Sequence, residues 1–564
     1  MFSKHTLLIA GLFLPVYIAS AQEGASVPPP REFSLPPRVG ISGERPLTLE
    51  EVLAMALANN RDIDISRIDQ QRAGYNIISA QGAFDPRVGG TTSFQKAVAP
   101  VSSSLGGSTT GAVTNTNGIL DPQFSGALPG LGSSYQMDLS SSRTTTNNSF
   151  ATLNPQYPSA LTFSYTQPLW RGLRYDDNRR RIEVAKKNQS LTDEQFRQRV
   201  MEVVTRAEQA YWDLAFAHGN LAVQLEAVQI GRDQDGSNRR QQEQGLLAAI
   251  DVVAAQRQLA TFEQAAFSAQ EVLTTAENAL KTLILSDRDD PLWSLAIIPV
   301  TPINAAPPVI PLADAISEAL ASRPELAQIR ISREINQADN RLFREQTKPQ
   351  IDAILTHSNA GLAGAQLAAT PNPFTSGLTT LNDRVSQLSA LAGLQPLPST
   401  GGGTTGGVPP LLVGGYGTSL SNLFTGHFPT TQVQLRVSIP LRNRTAEANL
   451  SSNIAEARRI RDQQQQAELA IEAAVRNGMQ SVESAKARLA SARIARASAE
   501  AQYESEQRQF RAGTSTLFLV QQRQNDMITA RSQERRAESD LGKSVAVFQL
   551  ATGRTLRVHN IDLK

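Results

Sequence analysis

The chain has 564 residues, of which 5% are aromatic, and it contains no cysteine. Its 54 basic and 52 acidic residues leave a net charge of +2, which excludes the strong positive field typical of a nucleic-acid-binding protein. Without cysteine, and with five scattered histidines, neither a disulfide framework nor a metal or other cofactor is expected. No nucleophile–base pair or phosphate-binding loop is present, so an enzyme is not expected either.

Residues 1–21 are predicted to be a secretory signal peptide. An apolar stretch over residues 7–18 is followed by the small residues Ala19, Ser20 and Ala21 at the cleavage positions. The stretch is shorter than the roughly 20 apolar residues that a spanning helix needs, and no later segment supplies them. We therefore expect an exported protein that, if it spans a membrane, does so with β-strands.

Residues 22–46 are rich in proline and are predicted to be an extended linker. Residues 47–290 follow as a first structural repeat, whose opening helix has Thr48 as its N-cap. The predicted elements of this repeat are a helix over 48–82, a strand over 88–94, a long loop up to 158, a strand over 161–167, a helix over 175–243, a turn, and a helix over 251–285.

The same pattern returns in residues 311–553, after a linker over 291–310 and before a tail over 554–564. Residues 49–58 align with 312–321, and the strand ending at Pro168 aligns with the one ending at Pro440. This second repeat is predicted to contain a strand over 351–357, a long loop up to 429, a strand over 432–439, and again a long helix, a turn and a helix. Both long loops are predicted to form an extracellular surface.

Two sequence patterns define the apolar faces of the predicted elements. Apolar and polar residues alternate in the strands, and apolar residues form stripes along the helices. Val433, Leu435 and Val437 alternate with polar neighbours, as a half-buried strand requires, although a soluble sheet would show the same pattern. The long helices carry small apolar residues at steps of three and four, which permits close packing along a seam. A helix over 175–243 would be roughly 100 Å long at 1.5 Å per residue. Extended helices around a hollow cylinder are therefore expected.

Four strands per chain cannot close a barrel, and an open sheet in lipid leaves backbone groups unpaired. Two copies would give about eight strands, whose interior fills with side chains, whereas three copies would give about twelve strands and a water-filled lumen. The expected fold is mostly α with a membrane β-barrel: a duplicated protomer that contributes four strands and long coiled helices to a homotrimer. Pro168 and Pro440 are predicted to end strands and open helices.

In these features the chain resembles the TolC-like outer-membrane efflux proteins, from about residue 47 to 553. The resemblance rests on the duplication, on residues 210–214 (Ala-Tyr-Trp-Asp-Leu) and 551–553 (Ala-Thr-Gly), and on the two turns at 245–252 and 513–517. It implies a trimeric twelve-stranded barrel in lipid of the outer membrane, continued by an α-helical tunnel across the periplasm. It also implies export from an inner-membrane pump through a periplasmic adaptor, for efflux or secretion.

The resemblance makes the two turns candidate adaptor contacts. Glycine suits a helix C-terminus for structural reasons alone, so the docking role of the turns remains open beside a purely structural one. Asp251 is predicted to cap the returning helix, and its counterpart in the family helps hold the tunnel mouth closed. The candidate adaptor-contact residues are Gly245, Leu246, Asp251, Gly513, Thr514 and Ser515.

At the expected tunnel entrance the sequence departs from the family. Phe510 and Ser515 stand where relatives have a tyrosine and an arginine that bind the aspartate, and neither can form that pair. Leu519 and Gln522 stand where relatives often carry two aspartates in acidic rings, so a weakly cation-selective entrance is expected. The alternative function is an exported periplasmic coiled-coil scaffold without channel activity, which would explain the helices but not the paired strands.

Overall fold

The structure is a computed structural model that describes residues 33–102, 107–108, 110–303, 310–367, 373–395 and 408–563. The predicted signal peptide and residues 22–32 of the predicted linker lie outside the described residues. Within the described part of the chain, no helix is both long enough and apolar enough to cross a membrane.

Most of the described residues are helical, and two very long helices dominate. The helices are α1 (Leu49–Asn59), α2 (Arg61–Gln81), α3 (Asp177–Glu243), α4 (Ala249–Ile284), α5 (Leu312–Ser322), α6 (Pro324–Gln346), α7 (Pro373–Leu391), α8 (Tyr416–Phe424), α9 (Arg444–Arg511), α10 (Leu517–Ala551) and α11 (Thr555–Val558). The strands are β1 (Gly43–Leu47), β2 (Arg87–Pro100), β3 (Ala112–Ala127), β4 (Ser134–Thr146), β5 (Leu153–Pro168), β6 (Leu295–Pro299), β7 (Gln350–Gln366) and β8 (Phe428–Ser438).

The chain divides into two compact units, and each contains residues from both predicted repeats. One unit, here called the helical unit, comprises Met1–Asp64, Arg199–Ser322 and Ile471–Lys564. The other, here called the sheet unit, comprises Ile65–Gln198 and Arg323–Ala470. The element order α1–α2–strands–α3–α4 of the first repeat returns as α5–α6–strands–α9–α10 in the second.

The predicted helix over residues 48–82 is in fact two helices that meet at Asn60. Thr48 caps α1 as predicted, in a capping box with Glu51. At Asn60 the backbone is extended, with ψ of 125°. The Asn60 side-chain amide donates to the carbonyl of Leu283 at 3.0 Å, and its Oδ1 accepts from the backbone N–H of Asp62 at 2.9 Å. These two bonds stabilise the break, which corrects the prediction.

The core of the helical unit lies where four helices meet. The small apolar stripes predicted for α3 and α9 are largely buried, including Val203, Leu214 and Val475, each 0% exposed. One apolar cluster joins α3, α4, α9 and α10, and its buried members are Val223, Ala227, Val228, Phe262, Ala266, Tyr503, Val520, Met527 and Ile528. Burial of such side chains contributes about 1.5–3 kcal/mol for each large one.

A small parallel sheet corrects the two linker predictions. Gly43–Leu47 pairs with Leu295–Pro299, so the C-terminal end of the predicted Pro-rich linker and part of the predicted linker at 291–310 are strands. Tyr211 of α3 is fully buried beside this sheet. Its hydroxyl donates to the carbonyl of Leu47 at 3.2 Å and accepts from the N–H of Thr301 at 2.9 Å. The tyrosine therefore joins the entry segments of the two repeats.

A buried ionic group holds the segment before β1 against α4. Glu277 and Lys281 are each 0% exposed and form an ion pair at 2.6 Å, one helical turn apart. Arg38 binds the second oxygen of Glu277 at 2.6 Å, and the Lys281 ammonium donates to the carbonyl of Trp293 at 3.1 Å. Because both charges lie in a low-dielectric interior, each depends on its partners for compensation.

The sheet unit contains one six-stranded antiparallel sheet in the order β2-β3-β4-β5-β7-β8. The prediction of four strands per chain is therefore wrong. The two additional strands, β3 and β4, form a hairpin within the stretch that was predicted to be a long extracellular loop. Part of the second predicted loop is also ordered, because α8 packs against β5 and β7, with the hydroxyls of Ser159 and Ser419 2.8 Å apart.

Candidate functional site

The first helix-reversal turn lies between α3 and α4. Gly245 has a φ of +73°, in the left-handed region that favours glycine. Its N–H donates to the carbonyl of Gln242 at 2.9 Å, and the N–H of Leu246 donates to the carbonyl of Gln241 at 2.8 Å. This pair of bonds is the Schellman motif, which satisfies carbonyls left free at a helix C-terminus. The predicted role of Gly245 as a helix stop is confirmed.

The second turn, between α9 and α10, has the same geometry. Gly513 has a φ of +76°, and its N–H donates to the carbonyl of Phe510 at 3.0 Å. The N–H of Thr514 donates to the carbonyl of Gln509 at 3.0 Å, and the Thr514 hydroxyl donates to the same oxygen at 3.1 Å. No atom lies within 4 Å of where a Cβ would stand at Gly245 or Gly513. A larger residue at these positions would therefore meet backbone strain and not a steric clash.

The two returning helices begin differently, and the predicted cap at Asp251 is wrong. The N-cap of α4 is Ala248, whose side chain cannot accept a hydrogen bond, whereas Thr516 caps α10 by accepting from the N–H of Leu519. Asp251 lies in the first turn of α4 with its N–H bonded to Ala248 at 3.0 Å. There the negative charge of Asp251 interacts favourably with the positive end of the helix dipole. Its side chain does not satisfy a free amide.

Both turns expose large apolar side chains. Leu246 is 73% exposed and Ile250 is 70% exposed at the first turn, and Phe518 is 72% exposed at the second. Exposed apolar residues in a group are typical of interaction sites. Sequence reasoning selected Leu246 but missed Ile250 and Phe518. A sequence signal for them exists, because both are large apolar residues in the first turn of a returning helix, outside the apolar stripe that packs that helix.

Phe510 and Ser515 both make contacts within the helical unit. Phe510 packs against the apolar cluster of the four helices, and the Ser515 hydroxyl donates to the carboxylate of Glu506. Leu519 and Gln522 are both exposed on α10, one turn apart, while their neighbours Leu517, Val520, Gln521 and Gln524 are buried. That Leu519 and Gln522 line a pore stays a prediction.

The seam beside these turns contains polar groups and ion pairs that the sequence analysis did not single out. Gln258 of α4 donates to the side-chain oxygen of Asn525 of α10 at 2.7 Å. Farther along, Arg531 of α10 binds Glu500 of α9 at 2.7 Å and Glu226 of α3 at 2.7 Å. Burial alone would raise the pKa of Glu500, but hydrogen bonds from arginine hold the pKa below its ordinary value. These contacts fix the register of the returning helix.

The two predicted junction prolines end strands but do not open helices. Pro168 is the last residue of β5, and α3 begins only at Asp177, where Asp176 accepts from the N–H of Arg179 at 2.8 Å. Pro440 follows the end of β8, and α9 begins at Arg444. The second part of the prediction is therefore wrong, because each proline is separated from its helix by a short connection.

The six-stranded sheet has one apolar and one polar face. Paired residues on one face include Tyr165, Leu355 and Val433, which stand in a row across β5, β7 and β8. The other face has Thr166, Ile354 and Gln434 in the next row, and is otherwise dominated by serine, threonine, asparagine and glutamine. Both edge strands, β2 and β8, are exposed at every residue.

Comparisons with known proteins agree with this architecture. Residues 123–284 match the model of the family described as outer membrane efflux protein. No curated protein sequence matches the chain. Among solved structures, the chain is similar to CusC at 13% identity, covering 93% of this chain and 99% of that one, with a TM-score of 0.61.

Two further solved structures have a similar fold. The Campylobacter jejuni outer membrane channel CmeC is 14% identical, with 90% of this chain and 86% of that one covered and a TM-score of 0.58. The Vibrio cholerae outer membrane protein VceC is 13% identical, with 90% and 96% covered and a TM-score of 0.57. The predicted resemblance to TolC-like outer-membrane efflux proteins is therefore confirmed, over residues 123–284 by sequence and over most of the chain by fold.

Proposed function

We propose that three copies of this chain form a passive channel that exports substrates across the outer membrane. The observation that supports it most strongly is the pair of unpaired edges on a sheet with one apolar face. In lipid each unpaired backbone group costs several kcal/mol, so a single copy could not insert stably. Pairing β2 of one copy with β8 of the next would satisfy both edges.

The strand directions favour this pairing. Successive strands of the sheet are antiparallel throughout, so β2 and β8 run in opposite directions and would pair as antiparallel neighbours. A contact between two different edges repeats from copy to copy and forms a closed ring when the rotation between copies divides a full turn. We take the number three from the resemblance to the TolC-like family, because a strand count alone would also permit two copies.

In this proposal the chain forms the channel and catalyses no reaction. Energy for transport would come from an inner-membrane pump, and a periplasmic adaptor would connect the pump to the turns at the ends of the long helices. The exposed side chains of Leu246, Ile250 and Phe518 support these turns as the adaptor surface, because apolar groups gain most from being covered.

The rival function, a periplasmic scaffold, leaves the apolar face of the sheet without a role. Cell fractionation separates the two functions, with planar-bilayer recording as the second test. The channel is expected in the outer-membrane fraction after salt extraction, and the purified protein is expected to conduct ions. Release by salt, together with no conductance, would favour the scaffold.

The turn glycines provide a test of adaptor docking. Gly245→Val and Gly513→Val should each strain the turn by about 1–3 kcal/mol, because a β-branched residue is disfavoured at positive φ. We expect export to be lost while the assembled protein retains its mass. Gly245→Asn and Gly513→Asn are matched controls, since asparagine tolerates this conformation, and should retain most export. Normal export by both valine variants would remove the docking proposal.

A further inference from the structure

The β3–β4 hairpin lies within the sheet and not beside it. Val88 of β2 pairs with Phe124 of β3, which pairs with Met137 of β4, which pairs with Phe163 of β5. These four residues form a continuous row across the sheet. The hairpin is therefore inserted in register between two strands that the sequence analysis assigned to the membrane.

Both inserted strands follow the face pattern of their neighbours. Leu120, Phe124, Met137 and Leu139 lie on the face that carries Phe163, and Leu120 and Met137 are exposed. The opposite face of the hairpin carries polar residues, among them Asn117, Gln123, Gln136, Asp138 and Ser140. A loop outside the membrane would have no reason to keep this alternation, whereas a strand between lipid and water requires it.

Length and direction also suit a membrane wall. β3 has 16 residues and β4 has 13, and a tilted spanning strand needs about 9–11. Insertion of a hairpin adds two strands of opposite direction, so β2 and β8 remain antiparallel and can still pair between copies. The face that carries Phe163 is covered by α8 near Ser141, whose hydroxyl lies 2.9 Å from the hydroxyl of Tyr416.

We infer that the β3–β4 hairpin is part of the transmembrane wall, with Leu120, Phe124, Met137 and Leu139 in contact with lipid acyl chains. The inference rests on the proposed trimer. Three six-stranded sheets then close a barrel of eighteen strands. Because barrel diameter grows roughly linearly with strand number, this barrel is about half again as wide as one of twelve strands. The outer-membrane section can then pass bulkier cargo than a twelve-stranded barrel allows.

Quenching of tryptophan fluorescence by brominated phospholipid tests the lipid contact. In proteoliposomes, Met137→Trp should lose most of its added fluorescence when brominated acyl chains replace ordinary ones, after subtraction of the native signal. Gln136→Trp, its neighbour on the opposite face, should lose little. Phe163→Trp on β5 is the positive reference for a strand already assigned to the wall.

The outcomes separate this inference from the proposed function. If Phe163→Trp is quenched and Met137→Trp is not, the hairpin lies outside the wall and only the inference is overturned. If neither is quenched and the native protein does not conduct, the channel itself is wrong. Electron cryomicroscopy of the detergent-solubilised assembly gives a second measurement. Six strands per copy, eighteen in all, are expected in the barrel, and four strands per copy would overturn the inference.

Discussion

Leu519→Asp combined with Gln522→Asp is expected to convert a channel that resists multivalent cations into one that they block. Both side chains are exposed on α10, one turn apart and beside the second turn. In a trimer each copy would add two carboxylates around one axis, and like charges in a confined mouth reinforce one another. Planar-bilayer conductance with a trivalent cation on the periplasmic side measures the effect, and cation selectivity should rise with it.

A control separates position from charge. Gln533→Asp adds a carboxylate at an exposed site on the same helix, about three turns farther from the turn, and should not create the block. If the native channel is already blocked at micromolar cation, other acidic groups line the entrance. If the double variant gains no sensitivity, Leu519 and Gln522 do not face the pore.

Removal of the buried carboxylate of Glu277 is expected to lower the free energy of unfolding more than any other substitution proposed for this chain. Glu277→Ala leaves the ammonium of Lys281 in a fully buried site without its carboxylate and removes the partner of Arg38. Breaking a buried pair in this way typically costs about 3–5 kcal/mol. Chemical denaturation of the detergent-solubilised protein, followed by helical circular dichroism, should show a transition shifted to lower denaturant.

Two variants identify the cause of that loss. Glu271→Ala removes an exposed carboxylate from the same helix and should change the free energy of unfolding little. The double variant Glu277→Leu with Lys281→Leu removes both charges, so it should recover much of the stability that the single variant loses. A single variant as stable as the native protein would contradict the assignment of Glu277 as the compensating charge.

The sequence predicted the elements whose signals are local and strong. The long helix predicted over residues 175–243 is Asp177–Glu243, and the strand predicted over 432–439 lies within Phe428–Ser438 to within one residue. Periodicity over many turns defines such a helix, and strict alternation defines such a strand. Gly245 and Gly513 were identified for the same reason, since a glycine at the end of a long helical pattern has one favoured role.

The missed elements have weak or non-local signals. β3 and β4 are rich in serine, threonine, asparagine and glycine, and Gly118 and Pro122 interrupt the apolar alternation of β3. Their apolar face becomes visible only when Phe124 and Met137 are seen beside Phe163. The β1–β6 pairing joins segments about 250 residues apart, so no local pattern could predict it. The prediction of an N-cap at Asp251 was wrong because the N-cap residue of α4 is Ala248, three residues before the aspartate.

The proposed channel works only as a closed ring of three copies. Its most direct test is the protein molar mass of the detergent-solubilised assembly, measured by light scattering with correction for bound detergent. Since β2 and β8 both present open edges, and the resemblance to the TolC-like family implies three copies, we predict a single species with three times the mass of one chain. A monodisperse monomer would contradict the account, because one six-stranded sheet cannot close a barrel in lipid.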